Sequence, residues 1–265
     1  MNYRQIELSF DDGCQLCRNN WDFFYNIEYL CEFIHRFTYA RICKMKIPTD
    51  GNYNCVFFLL SDCKEPHYDI FDIYHNLYVY MPFGEEGMKR LKATKEGEER
   101  TEFFLSLLEE GYRLAKQYTN TFPLDELMAI HKEFREGGYI SEWSCSKKRS
   151  FRKLGIKVYF YNKLTMYEYQ FIMVVTDLNG NEIARAPIDY TLPDWMFYLG
   201  RHSKITVEND LMVFYDTSGK RVIEVDIKGL PQGKIVSHMI EEGVFTDKDK
   251  ESIEKGRNWG KELRW

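Results

Sequence analysis

Two cysteines with three-residue spacing, Cys14 and Cys17, are the residues whose pattern most directly suggests chemistry. They lie between an alternating segment that predicts a strand, residues 3–10, and an amphipathic segment that predicts a helix over about residues 19–38. Paired Cys-x-x-Cys thiols at the start of a helix have lowered pKa values, because the helix dipole favours the thiolate. The pair could therefore act in thiol redox chemistry.

The segment Asp11-x-x-Cys14-x-x-Cys17 resembles the signature of the DCC thiol-oxidoreductase family, over about 15 of the 265 residues. The order strand, Cys-x-x-Cys, helix is also that of thioredoxin-like proteins. The resemblance implies that Cys14 and Cys17 form a redox-active dithiol. Thioredoxin-like folds place a cis-proline immediately before a strand near the dithiol. Here Pro48 lies well ahead of the next predicted strand, and Pro82 follows its strand.

A zinc site is a second hypothesis for the same cysteines. The spacing Cys14-x2-Cys17-x13-Cys31-x3-His35 is similar to that of a zinc finger with three cysteine ligands and one histidine ligand. A helix that begins near residue 19 opposes it, because Cys31 then lies about 18 Å along the axis from the helix start, whereas zinc ligands lie about 2.0–2.3 Å from the ion. The zinc hypothesis therefore requires a strand over residues 18–24.

A third interpretation, which we favour, is that these cysteines are buried thiols that act as small hydrophobic residues. Cys31 lies beside Leu30 and Ile34 on the apolar side of the predicted helix, and Cys55 begins an apolar segment of strand length. Core residues belong at both positions. This interpretation predicts no cofactor, with zinc as the alternative.

The second half of the chain contains a basic segment over residues 146–157, which has Lys and Arg residues but no acidic residue and is predicted to be a loop. Two tyrosines follow on a predicted strand. Basic and aromatic residues in this arrangement bind single-stranded nucleic acid or an acidic protein surface. The residues predicted to bind a partner are Lys147, Lys148, Arg149, Arg152, Tyr159 and Tyr161.

The charge of the chain favours a protein partner over nucleic acid. The net charge is −5, and residues 1–140 contain 16 Lys and Arg against 23 Asp and Glu, a net of −7. Residues 141–265 contain 20 against 18, a net of +2. Nucleic-acid-binding proteins normally have a strong basic excess. The sequence also lacks a Gly-rich phosphate loop, a Gly-x-Ser-x-Gly elbow and a His-Glu-x-x-His motif. These absences argue against the common nucleotide-dependent and hydrolytic enzymes.

The composition predicts a globular protein of the cytoplasm. Hydrophobic residues make up 44% of the chain and charged residues 29%, which is ordinary for globular proteins. The longest apolar run, residues 55–60, is too short to cross a bilayer, and the N-terminus lacks the pattern of a signal peptide. We therefore expect no membrane association and a reducing compartment in which the seven cysteines are thiols.

Residues 1–145 are predicted to form a mixed α/β region that ends in two consecutive helices. The strand segments alternate or are continuously apolar, whereas the helical segments repeat their apolar residues every three to four positions. The predicted strands are residues 3–10, 55–61 and 76–83, and the predicted helices are residues 19–38, 97–118 and 123–138.

Residues 146–230 are predicted to form an antiparallel meander of about six strands. Asn179-Gly180 is typical of a hairpin turn, and Pro187 places its strand at a sheet edge. Residues 231–265 are predicted to be a charged helical tail. The fold class is therefore α+β, and the three regions could also form one continuous domain.

These observations favour a cytosolic, non-enzymatic binding or regulatory protein, of a class that includes inhibitors and toxin-immunity proteins. It would contact a partner protein through an aromatic-rich sheet face and the adjacent basic loop. The alternative is a thiol-redox or structural-zinc protein that uses Cys14 and Cys17.

Overall fold

The computed structural model describes residues 1–19, 21–71, 74–191, 193 and 198–240. Helices and sheets are both present, which confirms the predicted α+β class. The chain divides into two compact units, Met1–Ser141 and Glu142–Arg264. No helix in the described ranges is long and apolar enough to cross a bilayer.

The first unit contains a four-stranded sheet, whose strands are β1 (Gln5–Phe10), β2 (Cys55–Ser61), β3 (His67–Phe71) and β4 (Asn76–Pro82). The strand order is β1-β2-β4-β3. β1, β2 and β4 are parallel, so Leu8, Phe58 and Val79 lie side by side. β3 pairs antiparallel with β4 at the edge. The carboxyl ends of the three parallel strands therefore meet at one edge of the sheet, with the Cys-x-x-Cys segment immediately after β1.

The described helices of this unit are α1 (Gln15–Asn19), α2 (Trp21–Met45), α3 (Gly84–Ala93), α4 (Glu98–Tyr118) and α5 (Leu124–Glu136). α4 and α5 confirm the two predicted consecutive helices. α3 was not predicted, because it is polar and buries only Gly87, Met88 and Leu91. The helix predicted at 19–38 is observed as α2, which continues to Met45.

α4 packs closely on the sheet through a glycine. A Cβ atom at Gly111 would lie 2.4 Å from the ring of Phe58 on β2, so only glycine permits this approach. The Phe58 ring also packs edge-on against Tyr112, with ring centroids 5.5 Å apart. The helix is thus held against the central strand of the sheet.

The second unit contains two four-stranded sheets. The first has the order β5-β6-β7-β8, with β5 (Ser141–Phe151), β6 (Ile156–Leu164), β7 (Tyr169–Asp177) and β8 (Glu182–Thr191). The second has the order β12-β11-β10-β9, with β9 (Lys204–Glu208), β10 (Leu211–Tyr215), β11 (Arg221–Asp226) and β12 (Ser237–Met239).

The prediction of a single six-stranded meander is therefore wrong, although the local pairings within it are correct. β6–β7–β8 and β9–β10–β11 are each antiparallel meanders, as predicted, but β8 is an edge strand that, among the described strands, pairs only with β7. Its position at the edge agrees with Pro187, which cannot donate a ladder hydrogen bond. Gly180 has a φ of +99° in the turn between β7 and β8. Hairpin signals are local, whereas the division into two sheets depends on packing between distant residues.

The prediction of a basic loop is also wrong. Residues 146–151 belong to β5, and a short 3-10 helix, Arg152–Leu154, connects β5 to β6. The strand alternates between exposed and half-buried positions, and charged residues occupy both kinds. Because Lys and Arg can bury their aliphatic stems, this alternation leaves no hydrophobic pattern in the sequence.

The two sheets of the second unit face each other across an aromatic core. The ring of Phe214 on β10 packs edge-on against Phe160 on β6, with centroids 5.4 Å apart, and against Phe171 on β7 at 5.8 Å. These residues define the inner face of the sheet β5–β8, and the opposite side is its outer face.

The predicted C-terminal helix falls mainly on residues 241–265, which lie outside the described residues. The described part of the predicted tail is not helical beyond one 3-10 turn. Leu230–Gln232 form that turn, and Ser237–Met239 form the edge strand β12.

Candidate functional site

Cys14 and Cys17 are both buried at the start of α1. Their side chains are 5% and 2% exposed. The Sγ atom of Cys14 accepts a hydrogen bond from the backbone N–H of Cys17 at 3.3 Å, which is the position of an N-cap acceptor. All seven cysteines of the chain are thiols. The geometry thus gives Cys14 a capping and packing role.

Hydrogen bonds connect the Cys-x-x-Cys turn to the end of β2. Asp11 accepts hydrogen bonds from the Gly13 N–H at 3.0 Å and from the Ser61 hydroxyl at 2.8 Å. Asp62 accepts from the N–H of Gln15 at 3.0 Å. Burial, followed by the nearby charges of Asp11 and Asp62, raises the pKa of the Cys63 thiol at this edge despite opposing hydrogen bonds from Ser61 and from the Cys63 backbone. The raised pKa favours the protonated thiol of Cys63, which is not one of the two cysteines predicted to be redox-active.

Cys14→Ser should leave the free energy of unfolding nearly unchanged, because a serine hydroxyl is a preferred N-cap acceptor. Cys14→Ala removes the acceptor and should cost about 0.5–2 kcal/mol. Urea denaturation of both variants measures the difference. The same pair of changes at the exposed Cys43, which forms a hydrogen bond with Tyr39 on the same helix, is the control, and each should change stability by less than about 0.5 kcal/mol. Equal destabilisation by Ser and Ala at Cys14 would contradict the capping role.

His35 and Cys31, the other two residues of the zinc hypothesis, lie one turn apart on α2 and are buried. The Nε2 atom of His35 accepts a hydrogen bond from the backbone N–H of Leu8 at 3.0 Å. Burial, together with the charge of nearby His131, lowers the pKa of His35 to about 3. The imidazole is therefore neutral, and its Nε2 lone pair accepts a hydrogen bond from the edge strand β1.

The condition set by the zinc hypothesis is not met by the fold. It required a strand over residues 18–24, whereas α2 begins at Trp21. Among the described residues, no group of three or more His, Cys, Asp or Glu side chains is placed to hold a metal ion. The geometry thus gives the zinc hypothesis no support.

Two of the residues predicted to bind a partner make bonds within the second unit. Lys147 Nζ donates to the carbonyl oxygens of His202 and Ser203, the second at 2.6 Å. Arg149 Nη2 donates to the carbonyl oxygen of Ile205 at 2.7 Å. The two cations therefore satisfy backbone groups at the edge strand β9, and their charges are already engaged.

The other predicted residues remain at the surface. Arg152 is exposed on the 3-10 helix, and Lys148 is exposed on β5. Tyr159 and Tyr161 are half-buried on β6, on the side opposite Phe160. The structure thus separates the predicted set into two cations that bind backbone and four residues that are at least partly accessible.

The outer face of the sheet β5–β8 collects these tyrosines with residues that the sequence did not single out. Across the sheet, Tyr159 pairs with Val174, which pairs with Arg185. Glu142 binds Arg185, so the even-numbered positions of β5 share this face. The outer face then includes Glu142, Lys148, Lys157, Tyr159, Tyr161, Lys163, Ile172, Val174, Glu182, Arg185, Pro187 and Tyr190.

Arg185 organises the centre of the outer face. Its guanidinium lies over the Tyr161 ring, 5.1 Å from the centroid, and so extends from β8 across β7 to β6. It also forms ion pairs with Glu142 at 3.2 Å and Glu182 at 3.4 Å. The sequence analysis placed Pro187 at a sheet edge but did not single out Arg185.

A buried polar cluster lies directly behind the outer face. Asp189, which is fully buried, binds the guanidinium of Arg201 and accepts a hydrogen bond from His202 Nε2 at 2.8 Å. Burial alone would raise the pKa of Asp189, but the hydrogen bonds from His202 and Arg201 outweigh it and lower the pKa. Burial lowers the pKa of His202, so its ring is neutral, and it stacks on Phe171 at 3.8 Å.

This cluster positions the exposed edge strand β8. Asp189 Oδ1 accepts from the backbone N–H of Tyr190 at 2.9 Å, and Tyr190 is presented on the outer face. The sequence analysis missed the cluster because its members lie on different elements, 12 and 13 positions apart. No short-range pattern could have joined them.

Comparison with known proteins provides no functional assignment. The similarity of residues 11–17 to the DCC signature therefore stays a local one, and the chain matches no protein family, no curated protein and no solved structure.

Proposed function

We propose that this protein is a cytosolic binding protein that recognises an acidic surface of a partner protein through the outer face of the sheet β5–β8. The observation that carries the proposal is the arrangement of Arg185 over Tyr161, flanked by Tyr159 and Tyr190 and by buried Val174. Tyr and Arg around an aliphatic centre are the residue types that dominate binding hot spots.

The charge of the face supports an acidic partner. Three cations, Lys148, Lys163 and Arg185, stand against two carboxylates, Glu142 and Glu182. A fourth cation of this face, Lys157, donates to the carbonyl oxygen of Leu178 at 2.8 Å. Arg185 can exchange its contacts with these carboxylates for carboxylates of a partner and keep its stacking on Tyr161. The acidic total charge of the chain, −5, opposes nucleic acid as the partner. An inhibitor or immunity-type protein fits this mode of binding.

The proposal is tested with the immobilised full-length protein and a lysate of its own source. A captured protein is purified and its affinity is measured by calorimetry against the wild type and against Tyr161→Ala and Arg185→Ala. Loss of a hot-spot side chain should weaken binding about 30-fold or more. The matched control is Tyr74→Ala in the first unit, where Tyr74 is 70% exposed, and its affinity should equal that of the wild type.

Three results distinguish the alternatives. Lys148→Glu together with Lys163→Glu should slow association, because charge complementarity acts mainly on the association rate. Binding that is insensitive to all these substitutions would reject the outer face as the binding site. Capture that disappears after nuclease treatment would identify a nucleic acid as the partner instead.

A further inference from the structure

Arg100, in the first turn of α4, is a buried cation with most of its hydrogen-bond donors unused. The residue is 1% exposed. Its Nη2 atom donates to the carbonyl oxygen of Thr94 at 3.1 Å. Its Nε and Nη1 atoms are buried and have no acceptor among the described residues.

A buried guanidinium with unused hydrogen-bond donors needs an anion nearby to balance its charge. Arginine does not lose its proton in proteins, so burial cannot neutralise it. A buried charge without a partner destabilises a fold strongly. The nearest carboxylates along the chain are Glu98, Glu99 and Glu102. Glu98 and Glu99 are exposed to solvent, and Glu102 is bound by the guanidinium of Arg135 at 2.8 Å. None of the three forms a hydrogen bond with Arg100.

The same turn supplies further donors. α4 begins after Gly97, which has a φ of +84° and offers no side chain to cap the helix. The first N–H groups of a helix have no acceptor within the helix, and the helix dipole attracts negative charge to this end. Arg100 therefore belongs to the same first turn as these N–H groups, and its guanidinium binds the carbonyl oxygen of Thr94 just before α4.

The turn lies at the carboxyl edge of the parallel strands. Phe103, in the next turn of α4, packs edge-on against Phe83, which directly follows β4, with centroids 6.4 Å apart. Open α/β sheets bind ligands outside this edge. The connection formed by residues 95–97, between Thr94 and α4, is exposed to solvent.

We propose that Arg100 and the N-terminus of α4 form an oxyanion site that binds a phosphate group. Nε carries one hydrogen and Nη1 carries two, so the guanidinium presents several donors in one plane. A phosphate has enough acceptor oxygens for these donors and for the helix amides together, and its charge balances the buried cation. The phosphate is free inorganic phosphate or the phosphate of a small phosphomonoester.

The test is the thermal unfolding of the full-length protein, titrated with sodium phosphate against sodium chloride of matched ionic strength. The wild type should show a rise in Tm beyond that in sodium chloride, about 3–6 °C at ten times the Kd and growing with the logarithm of the phosphate concentration. Arg100→Met should abolish this phosphate-specific rise. Arg113→Met, the same change at an exposed position of α4, should behave as the wild type. Arg100→Lys keeps the charge without the planar donors and should weaken binding about tenfold or more.

The Tm values of the variants without phosphate provide a second test. Without phosphate, Arg100→Met should have a Tm equal to or above that of the wild type, because it removes an unpaired buried charge. An equal rise in all four proteins, or none in the wild type, would overturn the site. A nucleoside monophosphate that binds more tightly than phosphate, while the nucleoside alone does not bind, would identify a phosphomonoester as the ligand. Equal affinities would identify free phosphate.

Discussion

Asp189→Ala should lower the free energy of unfolding of the second unit by about 3–5 kcal/mol, because it removes the buried carboxylate that balances the charge of a buried guanidinium. Asp189 is fully buried, Arg201 is 6% exposed, and the two side chains form a two-point ion pair. The loss includes the hydrogen bonds from His202 and from the Tyr190 backbone. Guanidinium denaturation of the purified protein, followed by fluorescence, measures the change.

A double substitution separates the ion pair from the packing of the site. Asp189→Leu with Arg201→Met replaces both charges by apolar groups of similar volume and should be much less destabilising than Asp189→Ala alone. The coupling between the two sites should exceed the additive expectation by about 1–3 kcal/mol. Purely additive effects would show that the ion pair does not stabilise β8. The same variants should weaken partner binding through Tyr190, which Asp189 positions on the outer face.

His35 should make the stability of the first unit fall as the pH is lowered. Its pKa is about 3 in the folded protein, against about 6.5 for an unperturbed histidine. Between these values the unfolded chain binds the extra proton, so the stability is complete above about pH 6.5 and is lost as the pH falls toward 3. From pH 6.5 to 4.5 the loss from this residue is on the order of 2–3 kcal/mol.

Two substitutions test this origin of the pH dependence. His35→Gln keeps an acceptor for the Leu8 N–H and has no titrating group, so it should flatten the dependence and cost little at pH 7. His35→Leu also flattens it but leaves the Leu8 N–H unsatisfied, which should cost about 1–3 kcal/mol at pH 7. Urea denaturation from pH 4.5 to 8 gives both quantities. An unchanged slope in His35→Gln would assign the effect to His131 of the same unit, whose pKa burial also lowers.

The contact of His35 with Leu8 and the cluster of Asp189, Arg201 and His202 show why site residues were harder to predict than helices and strands. His35 was assigned to a zinc hypothesis on its spacing from Cys31, yet it accepts from Leu8, which is 27 positions away. Asp189 and Arg201 carried no motif at all. Both arrangements are created by side chains that meet only after the sheets and helices have packed, so periodicity along the chain contains no information about them.

The basic segment, residues 146–157, also shows that the sequence could not predict which side chains are engaged in the folded protein. The sequence correctly identified a run of cations next to Tyr159 and Tyr161, but it could not distinguish Lys147, which binds backbone carbonyls, from Lys148, which is exposed. Both residues have the same chemistry. Only the side of β5 on which each lies, and the position of β9 opposite, decides which cation is engaged.

The amino-acid sequence by itself determined the elements whose patterns are local. The spacing of apolar residues and the positions of Gly and Pro act within a few residues along the chain. They were enough to predict α4, α5, the central strand β2, and the hairpins within β6–β8 and β9–β11. The tertiary structure alone decided that the strands of the second unit form two sheets. It also decided which charges are buried, paired or exposed. Burial and pairing depend on groups from distant parts of the chain, and only the folded packing brings these together.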